Sequence, residues 1–171
     1  MEWIVLSVIT LLIMFGGVLF YGAPYLPTLS KQTTEALDML ALSKGDTLLE
    51  LGCGDGKVMV AALNRGLQVV GYELNPLLFL IAWLRVRPYG NRAKVVWGNY
   101  WHEQWPDADG IFVFLLDRYM TRLDKRITQY QHRPVKLVSF AFKVPGQVPS
   151  KESRGLYLYE YRKGRARKLA A

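Results

Sequence analysis

Apolar residues in this chain form one long run followed by several short ones. Within residues 3–21 no side chain is charged, and only Ser7 and Thr10 are polar. A helix of that length would cover roughly 28 Å at about 1.5 Å per residue, close to the ~30 Å core of a bilayer. The run therefore predicts a transmembrane helix, with a cleaved signal peptide and a buried core helix as the alternatives.

After this run, short apolar segments alternate with segments of helical spacing. Strands are predicted over 47–51, 68–73, 93–97, 110–116, 135–140 and 156–161. Helices are predicted over about 30–42, 57–65, 76–87 and 121–130. This alternation, with almost continuously apolar strands, predicts an α/β domain with a parallel sheet covered by helices on both faces.

The last connection is too short for a complete strand–helix unit. Only 15 residues separate the final two predicted strands. A helix plus a full strand would not fit into that length, so the segment 143–154 predicts a reduced edge of the sheet.

Charge adds a third part to the chain. The net charge is +8, and residues 162–171 contribute +5 of it without any acid. We therefore expect an anchor at 1–22, a folded domain at 23–161 and a basic tail at 162–171, which is either disordered or in contact with anionic lipid. Basic residues follow the apolar run and none precede it, which predicts a single-pass membrane protein with its domain on the cytoplasmic side. The folded part has no basic stripe, so nucleic acid is not an expected partner.

A glycine-rich turn after the first predicted strand carries the strongest chemical signal. Residues 50–56 read Glu-Leu-Gly-Cys-Gly-Asp-Gly, and their glycines allow the backbone to approach a ligand closely. The N-terminus of the following helix attracts a phosphate or a carboxylate. A dinucleotide fingerprint needs glycine where Lys57 stands, and the Gly-Lys-Ser/Thr of a Walker loop is absent. The predicted cofactor contacts in this turn are Glu50, Gly52, Cys53, Gly54, Asp55 and Gly56.

Glu73 ends the second predicted strand, 21 residues after Gly52. A carboxylate at this place can accept hydrogen bonds from both hydroxyls of a ribose. A solvated strand-end residue is the alternative, but the glycine turn nearby favours binding. The neighbouring Leu74 and Asn75 are predicted to contact the same ligand.

Other polar and aromatic residues give weaker signals. Asn99 follows the third predicted strand and could bind a base edge, while Tyr100 could stack on the base or simply pack. Cys53, the only cysteine, is expected to be a small buried or loop residue. With His102 and His132 as the only histidines, both expected on the surface, no metal site is predicted.

These motifs resemble class I, or seven-strand, methyltransferases, in which an acid precedes Gly-x-Gly-x-Gly. Within that class, PYLP at 24–27, the turn at 50–56, VGYELNP at 70–76 and LDKR at 123–126 are similar to mitochondrial lysine methyltransferases. Those enzymes act on the c-ring protein of ATP synthase and on the adenine nucleotide translocase, and they have prokaryotic relatives. The resemblance covers about 24–161 and includes an N-terminal hydrophobic anchor.

The resemblance implies a Rossmann-like sheet, S-adenosyl-L-methionine as the cofactor, and methyl transfer to a lysine of a membrane-associated protein. The chain departs from the family at Asn99, where an aspartate is usual, at Asp117, where a proline is usual, and at Ala141, where an arginine is usual. Asp117 and Tyr119 are the predicted catalytic residues, with capping of the next helix as the alternative role for Asp117.

Two other functions stay open at the level of sequence. The methyl acceptor could be a lipid or another small membrane-associated molecule. Alternatively, the chain could be a scaffold that binds the cofactor without catalysis.

Overall fold

The computed structural model describes residues 2–6, 30–130 and 133–162. Most of the apolar run at 3–21, His132 and nearly all of the basic tail lie outside these ranges. Among the described residues, no helix combines the length and the apolar character needed to cross a membrane.

The domain contains seven strands and four α-helices within the described residues. The strands are β1 (Thr47–Leu51), β2 (Gln68–Glu73), β3 (Ala93–Trp97), β4 (Gly110–Phe114), β5 (Val135–Phe140), β6 (Lys151–Ser153) and β7 (Leu156–Tyr161). The helices are α1 (Ser30–Leu40), α2 (Lys57–Asn64), α3 (Pro76–Val86) and α4 (Asp117–Tyr130), with a 3-10 helix at Arg87–Arg92.

All seven strands belong to one sheet, in the order β3-β2-β1-β4-β5-β7-β6. Strands β1 to β5 pair in parallel, whereas β7 is antiparallel to both β5 and β6. The predicted parallel α/β sheet is therefore confirmed. A reversal of direction occurs at β1, because the chain first builds outward to β2 and β3 and then returns to place β4 on the other side.

Two apolar cores lie on opposite faces of the sheet. On one face α1, α2 and α3 cover residues such as Leu48, Val69 and Phe112. On the other face α4 and the connection at 98–109 cover Leu49 and Ile111. Neighbouring strand residues point to opposite faces, so continuously apolar strands are buried on both sides.

The structure differs from the predicted boundaries around β4. The strand ends at Phe114 and α4 already begins at Asp117, four residues earlier than the prediction. Leu115 is only 4% exposed although it lies outside the strand. The apolar run therefore continues past the last ladder residue, and hydrophobicity alone does not mark the strand end.

The reduced edge is confirmed in its outline. The stretch 143–154 contains no helix, and its one regular element is the three-residue β6. This short strand was not predicted, because its sequence Lys-Glu-Ser carries no apolar alternation.

Candidate functional site

The residues predicted to bind a cofactor lie at the carboxyl ends of β1 and β2. In open α/β sheets ligands bind beyond the carboxyl ends of the strands, where the strand order reverses. Here that reversal lies between β1 and β4. The fold thus puts the glycine turn at the expected place for a ligand.

The glycine turn adopts a backbone shape that side chains resist. Gly52, Gly54 and Gly56 have φ values of 85°, 55° and 77°. The N–H groups of Gly52 and Cys53 both donate to the carbonyl of Tyr72 at 2.9 Å, which ties the turn to β2. A Cβ on Gly56 would lie 3.1 Å from Cα of Ala82 in α3, so glycine also permits close helix packing there.

The carboxylate of Glu73 links the two strand ends. Its Oε2 accepts a hydrogen bond from the Gly54 N–H at 2.8 Å, and its Oε1 accepts one from the Asn75 N–H at 2.8 Å. Burial raises the pKa of Glu73, and hydrogen bonds from the backbone of Asn75, Gly54 and Leu74 oppose that rise. Each carboxylate oxygen has further acceptor capacity, so the group can bind a hydroxyl while keeping its backbone partners.

Glu50 is a second buried carboxylate in the same site. It is 3% exposed, and its Oε2 has no hydrogen-bond partner among the described residues. Burial raises its pKa well above the ordinary value, the charges of Glu73 and Asp55 raise it further, and the backbone N–H of Met59 lowers it. A buried polar atom without a partner is costly, which points to a ligand that supplies the missing donor.

Asp55 is engaged in ion pairs at the tip of the turn. Its Oδ2 lies 2.6 Å from Arg85 Nη1 and 3.1 Å from Lys57 Nζ. Burial alone would raise its pKa, but the hydrogen bonds from Arg85 and Lys57 hold the pKa below the ordinary value. Asp55 therefore fastens the turn to α3. Sequence reasoning missed Arg85, because its pairing across 30 residues leaves no local signal.

Asn75 and Leu74 support Glu73 from the start of α3. The Asn75 side chain caps the helix by accepting from the N–H groups of Leu77 at 2.9 Å and Leu78 at 3.2 Å. Proline follows at the first helical position, a combination typical of helix starts. The predicted contact residue Asn75 thus has a local structural role through its side chain and orients Glu73 through its backbone.

Cys53 points into the protein core. It is 4% exposed and packs among residues of the cluster that contains α2. Burial raises the pKa of its thiol well above the ordinary value, and the charge of Glu50 adds to this. The expectation of a small buried residue is confirmed, and only its backbone is placed to line the turn.

Asn99 and Tyr100 follow β3. The Asn99 Oδ1 accepts a hydrogen bond from the Trp101 N–H at 3.0 Å, so this acceptor already stabilises a turn. Burial raises the pKa of Tyr100, and Tyr119 and Glu73 raise it further. The Tyr100 hydroxyl is therefore close enough to both groups to feel their charge, and it stays protonated near neutral pH.

The predicted catalytic residues lie at the start of α4. Asp117 is exposed in the first turn of the helix, where the helix dipole favours an acid. Tyr119 is half-buried, and its ring lies 6.2 Å from that of Trp101, which in turn lies 4.8 Å from Tyr100. Tyr119 thus joins the aromatic group beside Glu73, whereas Asp117 stands outside it.

Arginines of α4 hold the aromatic connection in place. Arg122 lies over the Trp101 ring at 4.3 Å and Arg126 over the Trp105 ring at 4.6 Å. The guanidinium of Arg126 also donates to the carbonyl oxygens of Trp101 and Glu103. This one-turn spacing of arginines was not singled out from the sequence, although it is visible in α4.

Comparison with solved structures identifies the fold. An RNA methyltransferase from Salinibacter ruber, solved in complex with S-adenosyl-L-homocysteine, is similar with a TM-score of 0.75 and 21% sequence identity. The alignment covers 85% of this chain and 100% of that one. At this level of identity the similarity concerns the fold.

Curated relatives are lysine methyltransferases. The Homo sapiens lysine N-methyltransferase named for the c-ring protein of ATP synthase is 27% identical over 128 residues, which cover 74% of this chain and 54% of the human protein. A protein-lysine N-methyltransferase of Saccharolobus islandicus is 28% identical over 130 residues, covering 74% of this chain and 81% of that protein. The chain thus spans about half the length of the human relative.

Residues 50–151 match the family model described as ANTKMT methyltransferase domain. This range begins at Glu50, includes Glu73 and the aromatic connection, and makes up more than half of the chain. The resemblance drawn from the 50–56 and 70–76 motifs is therefore confirmed. The chain belongs to the ANTKMT methyltransferase domain family.

Proposed function

We propose that this protein is an S-adenosyl-L-methionine-dependent protein-lysine N-methyltransferase that acts on a membrane-associated protein. The observation that carries the proposal is the Glu73 carboxylate, fixed by the Gly54 and Asn75 N–H groups at 2.8 Å each beside the glycine turn. Family membership and the names of the relatives support the same reaction.

The described residues fit the proposed cofactor. Glu73 has acceptor capacity for two ribose hydroxyls, and Glu50 offers a buried oxygen without a partner for the ammonium of the methionine part. A positively charged ligand would also relieve the repulsion between the two carboxylates. Further proposed contacts are Gly52, Cys53, Gly54, Asp55, Gly56, Leu74, Asn75, Asn99 and Tyr100. Once bound, the cofactor supplies an activated methyl group.

The acceptor side is proposed to lie near α4. A lysine must be neutral to react, and at pH 7 its deprotonation costs about 4.6 kcal/mol from an ordinary pKa of about 10.4. The rings of Tyr100 and Tyr119 would exclude water from its side chain, which lowers that cost. Tyr100 is itself protonated, so we assign proton acceptance to Asp117, with Tyr119 positioning the amine.

The membrane placement is part of this proposal. We propose that residues 1–22 anchor the protein as a single-pass helix, that 23–161 form the methyltransferase domain on the cytoplasmic side, and that the tail 162–171 contacts anionic lipid. The uncharged run at 3–21 and the charges that follow it support this arrangement. An anchored enzyme meets acceptors in the same membrane at high effective concentration.

Calorimetry with S-adenosyl-L-methionine tests the binding step. We expect saturable heat with the full chain and its loss in Glu73→Ala, while Glu160→Ala on β7 binds as the parent does. A folded parent protein that gives no binding heat contradicts the proposal.

Labelling identifies the acceptor. Membranes incubated with the full chain and methyl-labelled cofactor should carry label in protein bands, and hydrolysates should contain methyl-lysine. Label in the lipid extract would favour a lipid methyltransferase, and tight binding without transfer to any fraction would favour a scaffold.

A further inference from the structure

Helix α3 leaves an unusually apolar face on the surface. Nine consecutive residues from Pro76 to Leu84 carry no polar side chain, yet the helix buries only Ala82 and Val86. Four of its large apolar residues are 41–53% exposed: Leu77, Leu80, Trp83 and Leu84. Leu77, Leu80 and Leu84 have three- and four-residue spacing and so share one face.

Trp97 at the end of β3 extends this face. It is 62% exposed, and its ring stacks on Phe79 of α3 at 6.2 Å between centroids. Its Nε1 donates to the Leu74 carbonyl at 3.2 Å, which fixes the ring. We call Leu77, Leu80, Trp83, Leu84 and Trp97 together the α3 apolar surface.

Basic residues surround this surface and acids do not. No Asp or Glu occurs between Glu73 and Glu103, whereas that interval holds four basic residues: Arg85, Arg87, Arg92 and Lys94. Arg87 lies 5.6 Å from the centre of the Trp83 ring, directly beside the leucines. Apolar side chains, tryptophans and arginines on one helix face are typical of helices that lie in the headgroup region of a membrane.

The charges select among possible occupants. A second copy of the chain would bring four further positive charges to the same face, which disfavours a symmetric contact. The uncharged segment 3–21 could cover the leucines but would leave the cations unpaired. An anionic lipid surface satisfies both the apolar and the basic groups.

The place of α3 in the fold agrees with a membrane nearby. Helix α1 packs against α2, and α2 against α3, on one face of the sheet. Between the end of the apolar run at Tyr21 and the start of α1 at Ser30 there are eight residues. Such a linker reaches at most about 26–29 Å, so an inserted anchor keeps this helical layer close to the bilayer.

We infer that the α3 apolar surface docks onto the anionic headgroup layer of the membrane that holds the anchor. This inference rests on the proposed membrane anchor and adds a second contact. Together the two contacts fix the orientation of the domain, whereas an anchor with a short linker alone would let it tumble.

A fluorophore on the surface tests the inference in the full chain. Leu80→Cys carries an NBD label, with Leu84→Cys as a second position. Val148→Cys is the matched control, because Val148 is an apolar residue, 81% exposed, near the opposite edge of the sheet. Cys53 is buried with a raised thiol pKa and should stay unlabelled. The proteins are reconstituted into phosphatidylcholine vesicles with or without phosphatidylglycerol, and flotation reports insertion.

In vesicles with phosphatidylglycerol, we expect the labels at 80 and 84 to be quenched by nitroxide lipid and protected from aqueous dithionite. The label at 148 should behave in the opposite way. Protection should fall in vesicles of phosphatidylcholine alone, and equal protection there would overturn the role of anionic lipid. Dithionite reduction of all labels at one rate overturns the inference. Protection from dithionite without nitroxide quenching also overturns it, because protein then covers the surface.

Two further readouts separate this inference from the proposed function. Chains that do not float with the vesicles overturn the anchor and the docking together. Calorimetry with S-adenosyl-L-methionine on the same labelled proteins reports the cofactor site independently. Binding heat with a water-exposed label at 80 means that only the docking is wrong.

Discussion

Arg85 and Asp55 join helix α3 to the glycine turn through an ion pair of 2.6 Å. The same guanidinium nitrogen donates to the Asp55 carbonyl at 2.7 Å, so Arg85 binds both the side chain and the backbone of the turn. A residue far from the motif in sequence thus helps to fix its shape.

Arg85→Ala should loosen the turn and weaken cofactor binding more than it lowers stability. The pair is partly exposed, so its loss should reduce the free energy of unfolding by about 1 kcal/mol or less. Urea denaturation and calorimetry with S-adenosyl-L-methionine measure the two effects. Arg87→Ala on the same helix is the control for binding, and equal affinities of the two variants would contradict the role of Arg85.

Glu73→Gln should fold but bind the cofactor poorly. The amide keeps the size of the side chain, yet its NH₂ group must face the N–H of Gly54 or of Asn75, which leaves donors opposed. Hydrogen bonds to a charged group contribute roughly 1.5–3 kcal/mol each, so we expect at least a tenfold increase in Kd. Calorimetry measures this increase, with Glu160→Gln as the control. An unchanged Kd would show that Glu73 does not contact the ligand.

Glu50→Gln should stabilise the ligand-free domain at alkaline pH while weakening cofactor binding. Because the pKa of Glu50 is raised in the folded state, ionisation costs stability as pH rises from its unfolded value of about 4.3 through the raised value. The variant lacks that cost. Its melting temperature should therefore exceed that of the parent at pH 8, and the difference should vanish near pH 4.

Differential scanning calorimetry over this pH range measures the effect of Glu50→Gln. Glu160→Gln, which changes an exposed carboxylate of β7, should follow the parent at every pH. A Glu50→Gln protein that melts below the parent at pH 8 would contradict the raised pKa.

Gly71→Ala should destabilise the domain by about 1–3 kcal/mol, as overpacking of a core usually does. A Cβ at position 71 would lie 2.6 Å from the Met59 sulfur and 2.9 Å from Cys53 Cβ. The methionine end can move, but Cys53 Cβ is bound directly to the backbone of the turn. Chemical denaturation measures the loss. Gly98→Ala is the control, since its added Cβ meets the flexible end of Glu103, and an equal loss in both variants would contradict the steric argument.

Cys53 should react with thiol reagents only when the protein unfolds. Its side chain is buried and the raised pKa keeps the thiol protonated, whereas the thiolate is the reactive form. The rate of reaction with a chromogenic disulfide, measured with and without urea, tests this. Fast reaction of the native protein would mean that the turn opens readily.

The sheet and the loop motif could be predicted because their signals are local. Strand β1, the turn at 50–56 and the first turn of α2 are consecutive, and glycine spacing alone indicates the backbone shape. Glu73 was predictable since it ends an apolar strand. By contrast, the pairing of Arg85 with Asp55 and the partnerless oxygen of Glu50 arise from contacts between distant segments, which no local pattern encodes.

Some polar residues carry roles that sequence reasoning assigned to the ligand. Asn75 caps α3 and Asn99 stabilises a turn through their side-chain oxygens. Asparagine next to a helix start or a turn is ambiguous, because the same acceptor serves the backbone and a ligand equally well. The roles of Asp117 and Tyr119 remain predictions, and the early start of α4 places Asp117 in a helix rather than at a strand end.

The contacts of Arg126 give the domain a mechanical property. Since its guanidinium holds the carbonyls of Trp101 and Glu103, the segment beside Tyr100 cannot shift without α4, nor α4 without that segment. A force applied to α4 by an arriving protein is therefore transmitted to the wall on which Tyr100 lies. The two sides of the cleft consequently open and close as a single lever.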